Sequence, residues 1–256
     1  MTTHAVSDTH ALLGRSLKHI TRSADTIITT ALTPIAMMLL FVYVFGGAIK
    51  TSTGEANYVN YLLPGILLMA IASGIAYTAL RMFNDMHGGI FERFQSMPIA
   101  RSSVLWAHVL TSMVANAITV AIIIGVALLM GFRSSAGPLA WLGVFGILAL
   151  FTLALTWIAV IAGLSAKTVD GASGFSYPLI FLPFISSAFV PTDTMPGPVR
   201  AFAENQPVTS IVNTISALLA ERPVVTSDLV SALAWCTGIL VLAYAAAMLV
   251  YRRKIS

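Results

Sequence analysis

The sequence predicts an all-α polytopic membrane protein with six transmembrane helices, an N-terminal interfacial helix and a re-entrant extracytoplasmic helical hairpin before the last span. Three observations predict it. Of 256 residues, 57% are hydrophobic and only 9% are charged, and the mean hydropathy is +0.88. A soluble domain carries about 25% charged residues, so this chain cannot cover a wetted surface. Six runs free of Asp, Glu, Lys and Arg lie at 27–49, 58–80, 104–130, 139–164, 172–190 and 229–251, each near or above the roughly 20 residues that cross hydrocarbon as a helix. Backbone in lipid must satisfy its own hydrogen bonds, which leaves helices and closed barrels. These runs far exceed the ~10-residue alternating strands of a barrel.

Residues 1–8 are polar. Over 9–24, Leu13, Leu17, Ile20 and Ala24 share one helical face, and Arg15, Lys18 and Arg22 share the opposite one. Cations on the polar side of such a helix suit the inner-leaflet interface and its lipids. After the first two spans comes "RMFNDMHGGIFERFQSMPIARSS", residues 81–103. Gly88 and Gly89 break the preceding helix and Pro98 stops the next. Between them Ile90, Phe91, Phe94 and Met97 recur at three- and four-residue spacing, flanked by Glu92, Arg93 and Gln95. A short helix over 84–98 with that apolar ridge either half-sinks in headgroups or fits a groove on a cytoplasmic partner.

The fifth run contains Pro178 and Pro183, which predict a kink. It leads into "FISSAFVPTDTMPGPVRAFAENQPVT", residues 184–209, where Pro191, Pro196, Pro198 and Pro207 stop the helix. An apolar stripe of Val208, Ile211, Val212, Ile215, Leu218 and Leu219 then resumes, with Thr209, Ser210, Asn213 and Thr214 opposite. Too short to span, this helix is expected to lie at the outer interface with its polar face outward, closing a hairpin over 191–220. Broken backbone at membrane depth must be buried in protein or line a cavity.

Orientation follows from Lys and Arg. With six spans, one side holds Arg15, Lys18, Arg22, Arg81, Arg93, Arg101, Lys167, Arg252, Arg253 and Lys254; the other holds Lys50, Arg133, Arg200 and Arg222. This asymmetry places both termini in the cytoplasm. The net charge of +4 therefore reports topology and anionic headgroups, and no nucleic-acid partner is expected. No cleavable signal peptide is expected either, because the first apolar run starts only at Ile27 and is of full span length. The single cysteine, Cys236, falls inside the last span as a packing residue.

No phosphate-cradling G-x-x-x-x-G-K-[ST] occurs, and none of Lys18, Lys50, Lys167 or Lys254 follows a glycine. There is no H-E-x-x-H, no Cys/His cluster and no G-x-S-x-G. The chain is read as no enzyme, with no catalytic residues and no metal site. Ion-coupled carriers keep ionisable groups inside their spans; here His108 is the only titratable group besides tyrosine and cysteine in the six runs, read as a satisfied interfacial histidine. That argues against a self-sufficient secondary carrier, and the broken hairpin argues against a purely structural role. A pump so built needs energy from another chain.

Six spans, the interfacial helix, "GIFERFQSMPIARSSVL" after the second span and "SSAFVPTDTMPGPVRAFAENQPVT" after the fifth together resemble the ABC type-2 permease family, in its bacterial daunorubicin-resistance branch, over about residues 10–253. The resemblance implies a single permease domain over 1–256 in the bacterial cytoplasmic (inner) membrane. It would dimerise with a second copy or a paralogue and dock a separate cytoplasmic ABC ATPase subunit. No cofactor is then expected in this chain, since ATP and Mg belong to the ATPase. ATPase coupling falls by resemblance on Asp85, Phe91, Glu92, Arg93, Phe94, Met97 and Pro98. The extracytoplasmic gate falls on Pro191, Met195, Pro196, Arg200, Phe202, Asn205, Gln206 and Pro207. A pathway between the second and fifth spans of two protomers would be lined by Tyr61, Met69, Ser73, Tyr77, Phe181, Phe184, Ser186 and Ser187, side chains that suit amphipathic, shape-variable ligands. Ordinary interhelical packing is the competing reading of each. The implied function is export of hydrophobic or amphipathic, drug-like compounds; a lipid or polysaccharide exporter of the same machinery is the alternative.

Overall fold

The computed structural model describes residues 24–46, 58–88 and 101–255. The expected interfacial helix lies outside these residues except for its last position. So do Phe91, Glu92, Arg93, Phe94, Met97 and Pro98.

Every regular element among the described residues is helical. In order they are α1 (Ala24–Leu39), which continues into a π-helical stretch (Leu40–Phe45), α2 (Tyr58–His87), α3 (Arg101–Leu129), α4 (Pro138–Ser165), α5 (Val169–Gly174), α6 (Ser176–Phe181), a 3₁₀ turn (Leu182–Ile185), a second one (Thr192–Thr194), α7 (Gly197–Asn205), α8 (Pro207–Leu219) and α9 (Thr226–Ile255). Five stretches among the described residues are long and apolar enough to cross a membrane: Ile28–Phe45, Tyr58–His87, Leu105–Leu129, Pro138–Ser165 and Thr226–Lys254. The chain is therefore a multi-pass helical membrane protein.

α2 is the axis of the bundle. It is apolar on nearly every side, and Leu62, Leu63, Ile66, Leu67, Leu68, Ile71 and Ile75 are fully buried, as expected of a helix surrounded by others. α1, α3, α4, α5, α6 and α8 all pack against it. Close approach is bought with small residues, as in other membrane bundles. A Cβ added at Gly163 on α4 would lie 2.5 Å from the Ala79 carbonyl oxygen, and one at Gly65 would lie 2.5 Å from the Ala188 methyl. Large apolar side chains on the opposite faces, such as Leu129, Leu139, Leu142 and Leu242, point away from the protein.

Asn60 fixes the start of α2 to the end of α3: its amide donates to the Arg133 carbonyl at 2.8 Å and accepts from the Arg133 N–H at 3.2 Å. The turn that follows α3 passes through Gly131, whose φ of 97° lies in the left-handed region open to glycine. α2 and α3 are thus antiparallel, and α4 runs alongside α2 in the same direction. α9 returns along α4, where Trp157 meets Tyr244 and Trp106 edge-on at centroid distances of 4.8 and 5.2 Å.

Two expectations change. The fifth run is not one kinked helix. It breaks at Phe175 between α5 and α6, tightens to a 3₁₀ turn beginning at Leu182, and becomes extended at Ser186 (φ −140°, ψ −179°). Pro183 at the start of the 3₁₀ turn can give no N–H, so the α-helical ladder is not carried forward. Nor does α8 present a polar face outward. Thr209, Ser210 and Thr214 are buried along with Val208, Ile211 and Ile215. The reason is local: Thr209 donates to the Ala203 carbonyl at 2.5 Å, Ser210 to the Pro207 carbonyl at 3.0 Å and Thr214 to the Ser210 carbonyl at 2.7 Å. Hydroxyls that satisfy themselves on backbone can be covered at little cost.

Candidate functional site

The chain after α6 loses its helical hydrogen bonds, and side chains from three other elements replace them. From the first turn of α2, the Tyr61 hydroxyl donates to the Ser187 carbonyl at 2.8 Å, and the Tyr58 hydroxyl to the Phe189 carbonyl at 3.3 Å. The two tyrosines are three residues apart, hence on one helix face, and their rings stack at 6.0 Å. Gln206, between α7 and α8, donates its amide to the carbonyls of Ile185 and of Leu182, the latter at 3.3 Å. Asn213 on α8 accepts from the Ser187 hydroxyl at 2.7 Å and donates to the Asp228 carboxylate at the start of α9 at 3.2 Å. Residues 182–189 are in this way fastened to α2 and Gln206 by their own carbonyls and to α8 by the Ser187 hydroxyl, and Asn213 links this clamp to α9. Beside this clamp Phe184 stacks on Phe189 at 4.6 Å, and Phe41 of the π-helical stretch lies 5.0 Å from Phe189.

The pathway candidates divide. Tyr61, Ser186 and Ser187 belong to the clamp; Ser186 is fully buried and donates to the Pro183 carbonyl at 2.6 Å while accepting from the Ala188 N–H. Phe184 packs beside it, whereas Phe181 is exposed. Met69 is buried within the bundle. Ser73 is half-buried and donates back to the Met69 carbonyl at 2.9 Å, and Tyr77 is half-exposed on α2. Ser73 and Tyr77 are thus not brought to the clamp.

Of the gate candidates, Gln206 is part of the clamp and Pro207 opens α8 as a first-turn proline. Pro191 and Met195 flank the 3₁₀ turn Thr192–Thr194, and the Pro196 carbonyl accepts from the Arg200 N–H at 2.9 Å to start α7. Phe202 and Asn205 are exposed on α7. Arg200 is exposed as well and pairs with Glu204 one turn on at 2.6 Å, a hydrogen bond that raises the guanidinium pKa.

At the far end of α2, Asp85 accepts from His108 of α3 at 3.1 Å, so the lone histidine of the third run has an acidic partner. Tyr58, Asn213 and Asp228 were missed by sequence reasoning. The Tyr58–Tyr61 spacing at the start of an apolar run was the available signal. For Asn213 and Asp228 there was none, because only the folded α8–α9 corner brings them together.

A bundle of long apolar helices around α2, with a broken apolar segment held by side chains, defines a multi-pass membrane protein of the transporter class. The chain belongs to the ABC-2 type transporter family, whose sequence profile it matches over residues 7–220. It is 32% identical over 208 residues to the daunorubicin resistance ABC transporter permease of Streptomyces coeruleorubidus, covering 80% of this chain and 72% of the relative. It is 26% identical over 251 residues to a doxorubicin resistance ABC transporter permease of Mycobacterium tuberculosis, covering 97% and 89%. These relatives are membrane permeases, and the family is the one that the two sequence motifs resembled.

Proposed function

We propose that this chain is the membrane subunit of an ATP-binding-cassette exporter that moves hydrophobic or amphipathic, drug-like compounds out across the bacterial cytoplasmic membrane. A separate cytoplasmic ATPase, holding ATP and Mg, powers it, and a second copy or a paralogue completes the pathway. In this reading the segment over 172–190 makes a sixth, broken crossing, both termini are cytoplasmic, and 191–220 forms the outer hairpin. The observation that carries the proposal is the clamp: a broken apolar segment whose hydrogen bonds to the rest of the bundle are made through side chains can be released without unfolding a helix, as an outer gate requires. Drug-like cargo is supported by the names of the two relatives. Coupling to the ATPase is assigned to 84–98, with Asp85 at its helical edge and Phe91, Glu92, Arg93, Phe94, Met97 and Pro98 beyond it.

The test is transport of daunorubicin into inverted-membrane vesicles holding this chain with and without its ATPase partner. Uptake into vesicles should need both chains and ATP, and the purified permease alone should hydrolyse none, having no phosphate-cradling loop. A permease–ATPase complex that hydrolyses ATP but ignores daunorubicin and other amphiphiles would overturn the drug-like reading. Failure to bind any ABC ATPase would overturn the subunit reading.

A further inference from the structure

The facing sides of α2 and α3 carry a polar seam. Asp85 meets His108 at 3.1 Å, Thr78 donates to the Ser112 hydroxyl at 2.7 Å, and Asn116 lies against Gly74. A Cβ at Gly74 would be 2.3 Å from the Asn116 Oδ1. The seam extends about eleven residues along α2, roughly 16 Å at 1.5 Å per residue. That is about half the hydrocarbon thickness. It starts at the helix ends nearest 84–98, the segment assigned to ATPase coupling.

The seam is incomplete. Asn116 donates its amide to the Ser112 carbonyl at 2.9 Å, but its Oδ1 is buried without a partner, and so is the Arg81 Nε on the same side of α2. Buried polar groups are normally satisfied, and an exception needs a reason. Both faces repeat at one-turn intervals: Gly74, Thr78, Arg81 and Asp85 on α2, and His108, Ser112 and Asn116 on α3. Antiparallel helices with such repeats have a second register one turn, about 5.4 Å, away. Sliding α3 toward the C-terminal end of α2 brings Asn116 opposite Thr78, whose hydroxyl can donate to the free Oδ1. The same slide brings Ser112 beside Arg81, where its hydroxyl can accept from the free Nε–H. His108 and Asp85 stay within reach in both registers. α2 itself is held on its other side by the close Gly163–Ala79 approach, so α3 is the element that moves. The exposed Asn60–Arg133 pair must open, and the non-helical 132–137 stretch takes up the displacement.

We infer that Asn116 and Arg81 are coupling residues: the Asn116 Oδ1 and the Arg81 Nε are without partners here because each is paired in a second α2–α3 register that alternates with this one as the ATPase turns over. This rests on the exporter reading above. The test leaves the seam intact and reports register seven residues away. With Cys236 replaced by Ala, the pair Leu67→Cys and Ile123→Cys faces in the present register, and Ile71→Cys with Ile123→Cys faces after a one-turn slide. Both pairs are read as oxidative disulfide formation in vesicles holding the permease–ATPase complex, without nucleotide, with ATP, and with ATP plus vanadate.

The 67–123 disulfide should form in one condition and the 71–123 disulfide in another. Asn116→Leu or Arg81→Gln should abolish the second disulfide and lower export about tenfold, within the usual range of coupling effects, while ATPase binding and the 67–123 disulfide persist. A 67–123 disulfide in every condition, with 71–123 in none, in a complex that exports would overturn the two-register inference alone. So would a 71–123 disulfide indifferent to Asn116→Leu and Arg81→Gln. A complex that neither binds an ATPase nor exports would overturn the exporter reading instead.

Discussion

Replacing Gln206 with leucine keeps the size of a side chain that is 5% exposed and deletes the donor shared by the Leu182 and Ile185 carbonyls. Each lost hydrogen bond is worth about 1 kcal/mol, giving about 2 kcal/mol for the pair. The Gln206 Oε1 is itself buried without a partner, so its removal returns part of this and leaves a net loss of about 1.5 kcal/mol. That corresponds to a roughly tenfold rise in the fraction of molecules in which the clamp is open. Ser186 is a near-isosteric site for a cysteine reporter, because it is fully buried in the closed clamp. In a Cys236→Ala background, Ser186→Cys should react with a membrane-impermeant thiol reagent only through local opening, at a rate proportional to the open fraction. Adding Gln206→Leu should raise that rate about tenfold. The neighbouring Asn205→Leu, which removes an exposed bond to the Ala201 carbonyl, should leave it unchanged. Equal rates for Gln206→Leu and its parent would show that Gln206 does not hold the segment.

Three further outcomes are expected. Glu92→Ala or Phe94→Ala should weaken co-purification of the ATPase with membrane insertion unchanged, since truncating a buried aromatic anchor costs 2 kcal/mol or more, about 30-fold; wild-type docking would assign 84–98 to the lipid surface. Cysteines at Val199 or Glu204, exposed on α7, should label rapidly from outside permeabilised cells while one at Ser210 should not, because Ser210 is buried; rapid labelling at 210 would contradict the packing of α8. Gly163→Val should lower the thermal unfolding midpoint in detergent, because its Cβ would lie 2.5 Å from the Ala79 carbonyl and 2.7 Å from the Met82 Cβ, an overpacking worth about 1–3 kcal/mol; an unchanged midpoint would show that α2 and α4 are free to separate.

The long apolar runs named their own helices, because twenty apolar residues leave the backbone few other ways to satisfy itself in lipid. What composition could not supply was the fate of short segments. The run over 172–190 passes a length test but carries Gly174 and Pro183, and where it breaks depends on which side chains wait to receive its carbonyls. Those donors, Tyr58, Tyr61 and Gln206, lie more than twenty positions away along the chain, as does Asn213, which accepts from the Ser187 hydroxyl. Likewise the alternation of Thr209, Ser210, Asn213 and Thr214 with apolar residues is what an interfacial helix shows. The structure instead covers both faces, since Thr and Ser hydroxyls can bond to neighbouring carbonyls. Amphipathic periodicity distinguishes two sides of a helix without saying that either meets water. Gln206 was named for a gate and Ser187 for a pathway, and in the structure both hydrogen-bond the broken segment in place. Met69, named for the pathway by its type and its place on the second span, is buried within the bundle.

The clamp and the seam are two ends of one helix. Tyr58 and Tyr61 leave the first turn of α2 toward the broken segment, while Gly74, Thr78, Arg81 and Asp85 line its second half against α3. Between them Leu62, Leu63, Ile66, Leu67 and Ile71 are buried on all sides, so this middle stretch cannot rotate or shift without repacking the core. Movement at the seam therefore reaches the clamp in one of two ways. α2 can move as a rigid rod, carrying its tyrosines away from the Ser187 and Phe189 carbonyls. Otherwise α2 stays fixed and α3 slides past it. The tight Gly163–Ala79 and Gly65–Ala188 approaches oppose the first route, because they tie α2 to α4 and to the clamped segment at once. Sliding of α3 disturbs neither contact, and it pulls instead on the Asn60–Arg133 pair, at the same turn of α2 that carries Tyr61. Asn60 is adjacent to Tyr61 in sequence, so releasing Arg133 frees the first turn of α2 beside the tyrosine that holds Ser187. Pro64, which cannot donate to the Asn60 carbonyl one turn earlier, leaves that turn separable from the buried middle of the helix. If α3 slides in this way, the clamped segment responds to the seam through α3 and the Asn60 turn, with the axis of the bundle standing still.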